Sequence, residues 1–337
     1  MNSSKKNWFR IVKMIAYVLV VVGVTYTVWN GVSQISQSDL SISNFRWFWL
    51  VPASLFYFGS MSLCWMYWHM VLKAMGQKPS LARSFCAFVL GQLGKYFPGK
   101  ALVVFLRTNH VSGPDVQPAV AATSVFLETL TYMAVGAGVA SLIMVTLIDV
   151  GPWLIVIGIG AIIAAGLPIV PPVFRFIIRT LRIDRLSPKI GAAVENLDLR
   201  ISLYAWLILP FSWLLVGFSL WSSIQLIGVD VSLQEVPRLT ACAGLAIVVG
   251  FLSMMPGGLG VREFVLITIL QPLDPAFDAS TTLVIAVVLR LVWLMTEAAL
   301  TIILNGLGLA RRVKQPTSSS PPDDPTNSNH DQANSDQ

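Results

Sequence analysis

This chain of 337 residues has little charge and few residues able to ligate a metal. Its three cysteines, Cys64, Cys86 and Cys242, all lie in or beside apolar stretches and form no CxxC pair. Neither a disulfide framework nor a zinc site therefore has support. The three histidines are scattered. His330 falls in a polar tail and His110 in a loop, while His69 sits near a helix end among Trp65, Tyr67 and Trp68. For His69 the expected role is packing in an interfacial aromatic belt. Catalytic motifs are missing too. Gly94-Lys95 is followed by Tyr96, so it is no Walker A loop, and neither G-x-S-x-G nor HExxH occurs. ATP hydrolysis is not expected, and no cofactor is called for. Enzyme chemistry would have to rest on Glu128, Glu263 and Glu297, acids whose spacing alone does not bring them together.

Hydrophobic residues make up 55% of the chain and charged ones only 12%, with a mean hydropathy of +0.70. This is the profile of an all-α polytopic membrane protein, not of a soluble domain. A spanning helix needs about 20 mostly apolar residues. Six segments qualify, at about 11–30, 47–72, 117–147, 152–174, 201–227 and 280–308. The first follows Lys5, Lys6 and Arg10. Its apolar run is longer than a signal-peptide core and lacks a small-residue cleavage site, so it reads as an uncleaved anchor.

Two further apolar stretches, 84–107 and 239–270, are interrupted by Pro-Gly pairs. The first break is Gly94-Lys95-Tyr96-Phe97-Pro98-Gly99-Lys100, and the second is Pro256-Gly257-Gly258-Leu259-Gly260-Val261-Arg262-Glu263. Irregular backbone at membrane depth is tolerated only where protein or a water-filled cavity satisfies its N–H and C=O groups. Paired breaks in the two halves of a chain are the sequence pointer to a binding site in a transporter-like fold.

The net charge of +6 follows topology and does not suggest nucleic acid. With the N-terminus in the cytoplasm and six alternating spans, only Arg46, Arg238 and Arg262 of the 23 Lys and Arg fall outside, and Arg290 lies within a span. The positive-inside rule favours this orientation, with both termini cytoplasmic. The first broken segment then enters from the cytoplasmic side and the second from the outer side. Units 47–147 and 201–308 become candidate inverted copies within a membrane domain covering 1–310. Aligning their Pro-Gly breaks sets Glu128 against Arg290. Between the halves, residues 175–200 mix apolar and basic side chains and read as an amphipathic cytoplasmic linker on anionic headgroups. Residues 311–337 have the composition of a disordered tail.

Charges inside spans cost at least a few kcal/mol and face partners or a polar interior. Glu128, Arg290 and Glu297 are the residues concerned. An ion pair between Glu128 and Arg290 is one expectation, compatible with lining a path. Arg290 and Glu297, two helical turns apart, share a face. At the second break, Pro256 ends one helix, while Gly257, Gly258 and Gly260 permit positive φ. A helix starting near Gly260 would present its N-terminus to an anion, with Arg262 adding a fork for phosphate. Glu263 would support the first turn or bind a cation; a plain packing corner remains the other reading. At the first break, Lys95, Lys100 and Arg107 would gather anionic headgroups, unless they serve only as topogenic charges.

In these residues the chain resembles the transmembrane region of lysylphosphatidylglycerol synthases, a flippase-like family of integral membrane proteins. The resemblance rests on Lys95-Tyr96-Phe97-Pro98-Gly99-Lys100 with Arg107, on Pro256-Gly257-Gly258-x-Gly260-x-x-Glu263, and on Glu128 and Arg290. It covers about residues 10–310. The family often has Glu-Arg where this chain has Glu128-Thr129. The resemblance implies handling or movement of lipids or lipid-linked sugars at the cell membrane. The 27 residues after Ala310 are not expected to form the soluble aminoacyltransferase domain of the bifunctional relatives. A lipid translocator is therefore expected. The alternatives are an accessory presenting lipid to a separate lipid-modifying enzyme or glycosyltransferase, and a membrane enzyme acting through Glu263 and Glu128.

Overall fold

The computed structural model describes residues 42–96, 101–147, 170–253, 260–271 and 277–307, with single positions in 25–33 and 156–167. Most of the expected span 11–30, most of the stretch 152–169 in the fourth expected span and the tail 311–337 lie outside the described residues.

Among the described residues the named elements are all helical. The chain runs α1 Leu50–Ala74, α2 Leu81–Gln92, α3 Ala101–Val111 and α4 Pro118–Leu147. After α5 Pro171–Thr180 and α6 Pro188–Glu195 come α7 Leu199–Leu226, α8 Val236–Leu252, α9 Val261–Leu270 and α10 Ala279–Gly306. Five are long and apolar enough to cross a bilayer: α1, α4, α7, α10, and α8 with the short turn preceding it. The protein is an all-α polytopic membrane protein.

α1 and α7 pack against each other through small and hydroxylated residues, which permit close approach where lipid offers no hydrophobic drive. Ser60 and Ser212 share a hydrogen bond of 2.8 Å, and Ser219 Oγ donates to the Ala53 carbonyl at 2.9 Å. Phe56 and Phe218 stack at 5.0 Å. On α4, Gly136 lies under the ring of Trp213, which stacks on Tyr132 at 4.3 Å and donates to the Tyr132 carbonyl at 3.1 Å. A side chain at Gly136 would overlap that indole. All three cysteines are buried and free.

The two ends of the bundle are marked by polar ties. At one end Arg46 binds Asp230 bidentately, and its guanidinium holds that exposed carboxyl below the usual carboxylate range. Arg238 reaches the Leu147 carbonyl at the same end, 3.4 Å away. At the other end the Gln117 N–H donates to Gln77 Oε1 at 2.8 Å, and Lys189 Nζ donates to Gln117 Oε1 at 3.1 Å.

α2 and α3 are twelve and eleven residues long, about 18 Å and 16 Å at 1.5 Å per residue, against a hydrocarbon core of about 30 Å. Neither crosses. Their feet close on the same side: the Lys78 N–H donates to the Asp115 carbonyl at 3.1 Å, and Arg83 Nε to the His110 carbonyl at 3.3 Å. The first broken segment is thus a re-entrant hairpin. Gly94 allows its arms to touch, since an added Cβ would sit 2.9 Å from the backbone nitrogen of Val103. His110, expected in a loop, ends α3 and binds the Leu106 carbonyl through Nδ1 at 2.8 Å. His69, expected in an interfacial belt, is buried and meets Ser84 Oγ at 2.9 Å, tying α1 to α2.

The second hairpin starts from the opposite end. α8 begins beside the Arg238 tie, and the ten-residue α9 folds back along it without the length to cross. Its arms are unequal, which the sequence pattern does not suggest. After Pro237 in the first turn the apolar run meets no further proline until Pro256 and extends into a long helix. The expected linker forms α5 and α6. Arg175 donates to the carbonyls of Val194 (3.3 Å), Glu195 (3.2 Å) and Leu197, capping the last turn of α6.

Candidate functional site

The hairpin tips and the long helices beside them carry every expected charged site residue that is described. Lys100, Pro256, Gly257 and Gly258 lie outside the described residues. Gly260 adopts φ +78°, which a side chain would strain, and α9 starts directly after it as the glycine pattern leads one to expect. Arg262 and Glu263 therefore sit in the first turn of α9.

Three ion pairs organise the centre. Arg107 Nη1 on α3 binds Glu128 Oε2 on α4 at 2.6 Å, and both side chains are almost fully buried. The Arg107 guanidinium also lies 4.1 Å from the Phe88 ring centroid and 5.4 Å from that of Trp68. Arg290 Nη2 on α10 binds Glu263 Oε1 on α9 at 2.8 Å. Lys95, at the first tip, binds Glu297 on α10 and donates to the Tyr57 hydroxyl at 2.9 Å, while that hydroxyl donates to Glu297. Tyr57, Tyr96 and Trp293 place their ring centroids 5.4, 5.2 and 5.9 Å from the Lys95 ammonium.

Two expectations change here. Glu128 and Arg290 do not pair with each other; each takes a partner from its own half, because the second arm of each hairpin packs against the long helix that follows it. Nor do Lys95 and Arg107 stand as open cations at a leaflet. At these depths an unpartnered charge would be too costly, and both are neutralised by carboxylates on neighbouring helices.

The pairing exposes a symmetry with reversed sign. In the first half the hairpin arm supplies arginine and the next long helix supplies glutamate. In the second half the arm supplies Glu263 and the long helix supplies Arg290. Glycine placement repeats as well. Gly91 on α2 makes room for Arg107, and Gly250 on α8 makes room for Arg262, with added Cβ atoms 2.3 and 2.7 Å from the respective Cγ atoms. Each glycine precedes its Pro-Gly break by roughly two helical turns. The Lys95–Glu297 contact alone among these three pairs joins one half to the other. Reversal predicts that Glu263→Arg combined with Arg290→Glu keeps the fold. Each single change should collapse it, by about 3–5 kcal/mol for an uncompensated buried charge. Thermal unfolding of the purified protein checks this. A double variant no more stable than the singles would contradict the equivalence.

Tyr57, Trp293, Gly91 and Gly250 belong to the site, although the motif pattern of the sequence does not point to them; Tyr96 stands within the first break motif. Aligning the two breaks brings out the glycines. Tyr57 and Trp293 carry no sequence signal among so many other aromatic residues.

The described residues that border the two breaks lie near one another. Lys95 lies within electrostatic reach of Arg262 and Arg290, and Arg262 within reach of Tyr96 and Tyr57. Between α8, α9 and α10 is a cavity of about 30 Å³ lined by Arg262, Glu263, Arg290, Ala243, Ala246 and Trp293. That is room for about one or two waters. Among the described residues, buried polar atoms without hydrogen bonds include Arg262 Nε and Glu263 Oε2, both in the lining, and Glu297 Oε2 and Tyr96 OH near the Lys95 contact.

Long apolar helices and two helical hairpins that start from opposite ends, with buried charges beside their breaks, define a multi-pass membrane protein with a polar centre. The chain matches the lysylphosphatidylglycerol synthase TM region over residues 14–301, and it belongs to that family. No curated protein matches it. The family ties the chain to lipid metabolism or transport.

Proposed function

We propose that this protein moves an anionic, phosphate-bearing lipid, a phospholipid or a lipid-linked sugar, between the leaflets of the cell membrane. The observation that carries this reading is the charge at the meeting of the hairpins. Lys95, Arg262 and Arg290 face Glu263 and Glu297, three cations against two carboxylates, so the described cluster carries one excess positive charge. A phosphodiester of charge −1 completes it. Arg262 supplies a planar fork suited to phosphate, and the N-terminus of α9 adds its free N–H groups and dipole.

The cavity is too small for a headgroup, so passage requires the hairpins to part. The Lys95–Glu297 contact is the link that must break, and phosphate at Lys95 replaces the carboxylate it loses. Acyl chains stay in the bilayer throughout. The expected orientation, with both termini cytoplasmic, has the first hairpin receiving the headgroup from the inner leaflet.

The test is leaflet exchange in vesicles reconstituted with the full chain and labelled lipids. Anionic phospholipid or polyprenyl-phosphate sugar should equilibrate across the bilayer faster than in protein-free vesicles, and faster than phosphatidylcholine. Folded protein that leaves every one of these lipids in its starting leaflet would refute the proposal.

A further inference from the structure

Apart from the hairpin centre, the molecule holds a second recess, largely apolar but with charged side chains in its lining. A groove of about 350 Å³ lies where the end of α1 meets the start of α7, lined by Lys73, Arg200, Asn196, Asp198, Tyr204 and the apolar Met70. None of these residues belongs to the hairpins or their ion pairs. We propose that this groove is a binding site for a glycerophospholipid of the surrounding leaflet, with its phosphate between Lys73 and Arg200 and one acyl chain lying along α7.

Four observations support it. The walls are fixed: α1 ends in a Schellman turn, with the Gln77 N–H on the Leu72 carbonyl at 3.0 Å and Gly76 at φ +74°, which holds the Lys73 backbone in place. On the other wall the Arg175 guanidinium clamps the carbonyls of Val194, Glu195 and Leu197, immediately before Asp198. The charge suits a phosphate. Asp198 caps α7 by accepting from the Leu199 N–H and lies 3.5 Å from Arg200, so two cations face one carboxylate and the recess keeps a net +1. The lining also leads onto exposed apolar side chains. Leu207 and Phe211, three and seven residues beyond the lining residue Tyr204 and so on its face of α7, are 63 and 60% exposed. Finally, it lies at the bundle end expected to face the cytoplasm, where basic recesses between spanning helices take anionic headgroups.

A photoreactive phosphatidylglycerol in nanodiscs containing the full chain tests this, with labelled peptides mapped by mass spectrometry. Labelling should concentrate on the Met70–Ala74 and Ile201–Leu207 segments. The affinity read from its concentration dependence should fall about 30-fold in the K73Q/R200Q protein, the effect of losing two basic side chains at an anionic surface. A photoreactive phosphatidylcholine should label the same peptides far less. Equal labelling by the two probes, or labelling unchanged in K73Q/R200Q, would overturn the proposal. Competition by soluble glycerol phosphate as effective as by the intact lipid would show a site for a free phosphate ester and equally reject a lipid site. Leaflet exchange separates this site from the hairpin centre. Exchange should persist in K73Q/R200Q, whereas an unaltered chain that labels as expected but exchanges no lipid would count against the translocation reading alone.

Discussion

Replacing Glu128 with Gln or Ala should cost the fold about 3–5 kcal/mol, the usual effect of leaving one member of a buried ion pair alone. Glu128 and Arg107 expose only 6% and 5% of their side chains, so water cannot take over the arginine's partner role. The remaining contacts of Arg107 are aromatic faces, Phe88 and Trp68, which weaken the cost of a bare guanidinium without removing it. The damage should spread to the first hairpin, because Arg107 fills the space above Gly91 that holds α2 and α3 together. Glu128→Gln protein is therefore expected to unfold at a markedly lower temperature, and R107E/E128R to recover most of the loss. A Glu128→Gln protein with unchanged unfolding would show that the pair contributes nothing to packing.

The second large effect concerns transport, not stability. Lys95→Gln and Arg262→Gln should each slow the exchange of anionic phospholipid about 10- to 100-fold, the effect of losing one hydrogen bond to a charged group. Arg262 Nε has no hydrogen bond to lose, whereas Lys95→Gln leaves the fully buried Glu297 carboxylate without its ammonium. Exchange is therefore read on protein whose folding is checked by thermal unfolding, and Lys95→Gln is compared with the Lys95→Gln/Glu297→Gln double variant. Exchange of a neutral lipid should hardly change. Unaltered anionic exchange in both variants would remove the hairpin tips from the pathway.

Much of this architecture is legible in the chain itself. The Pro-Gly breaks announce the hairpins, because proline stops a helix and glycine alone readily accepts the φ of +78° found at Gly260. The buried charges are legible as costly features that must have partners. Their partners are not legible, since spacing along the chain does not favour Arg107 over Arg290 as the match for Glu128. Only the packing of α3 on α4 decides between them. The length of α8 is hidden because its breaker, Pro256, looks like the middle of a symmetrical segment. Tyr57 is hidden for a different reason: a tyrosine inside an apolar span gives no sign of which ammonium it will meet.

Opposed hairpins are the foundation on which the pathway stands, and side-specific labelling tests them most directly. Single cysteines at Ser112, at the foot of the first hairpin, and at Gln271, at the foot of the second, would be introduced into protein sealed in vesicles of uniform orientation. A membrane-impermeant maleimide added outside should label one of them, and the other only after the vesicles are opened. Both positions reacting from the same side would contradict the arrangement.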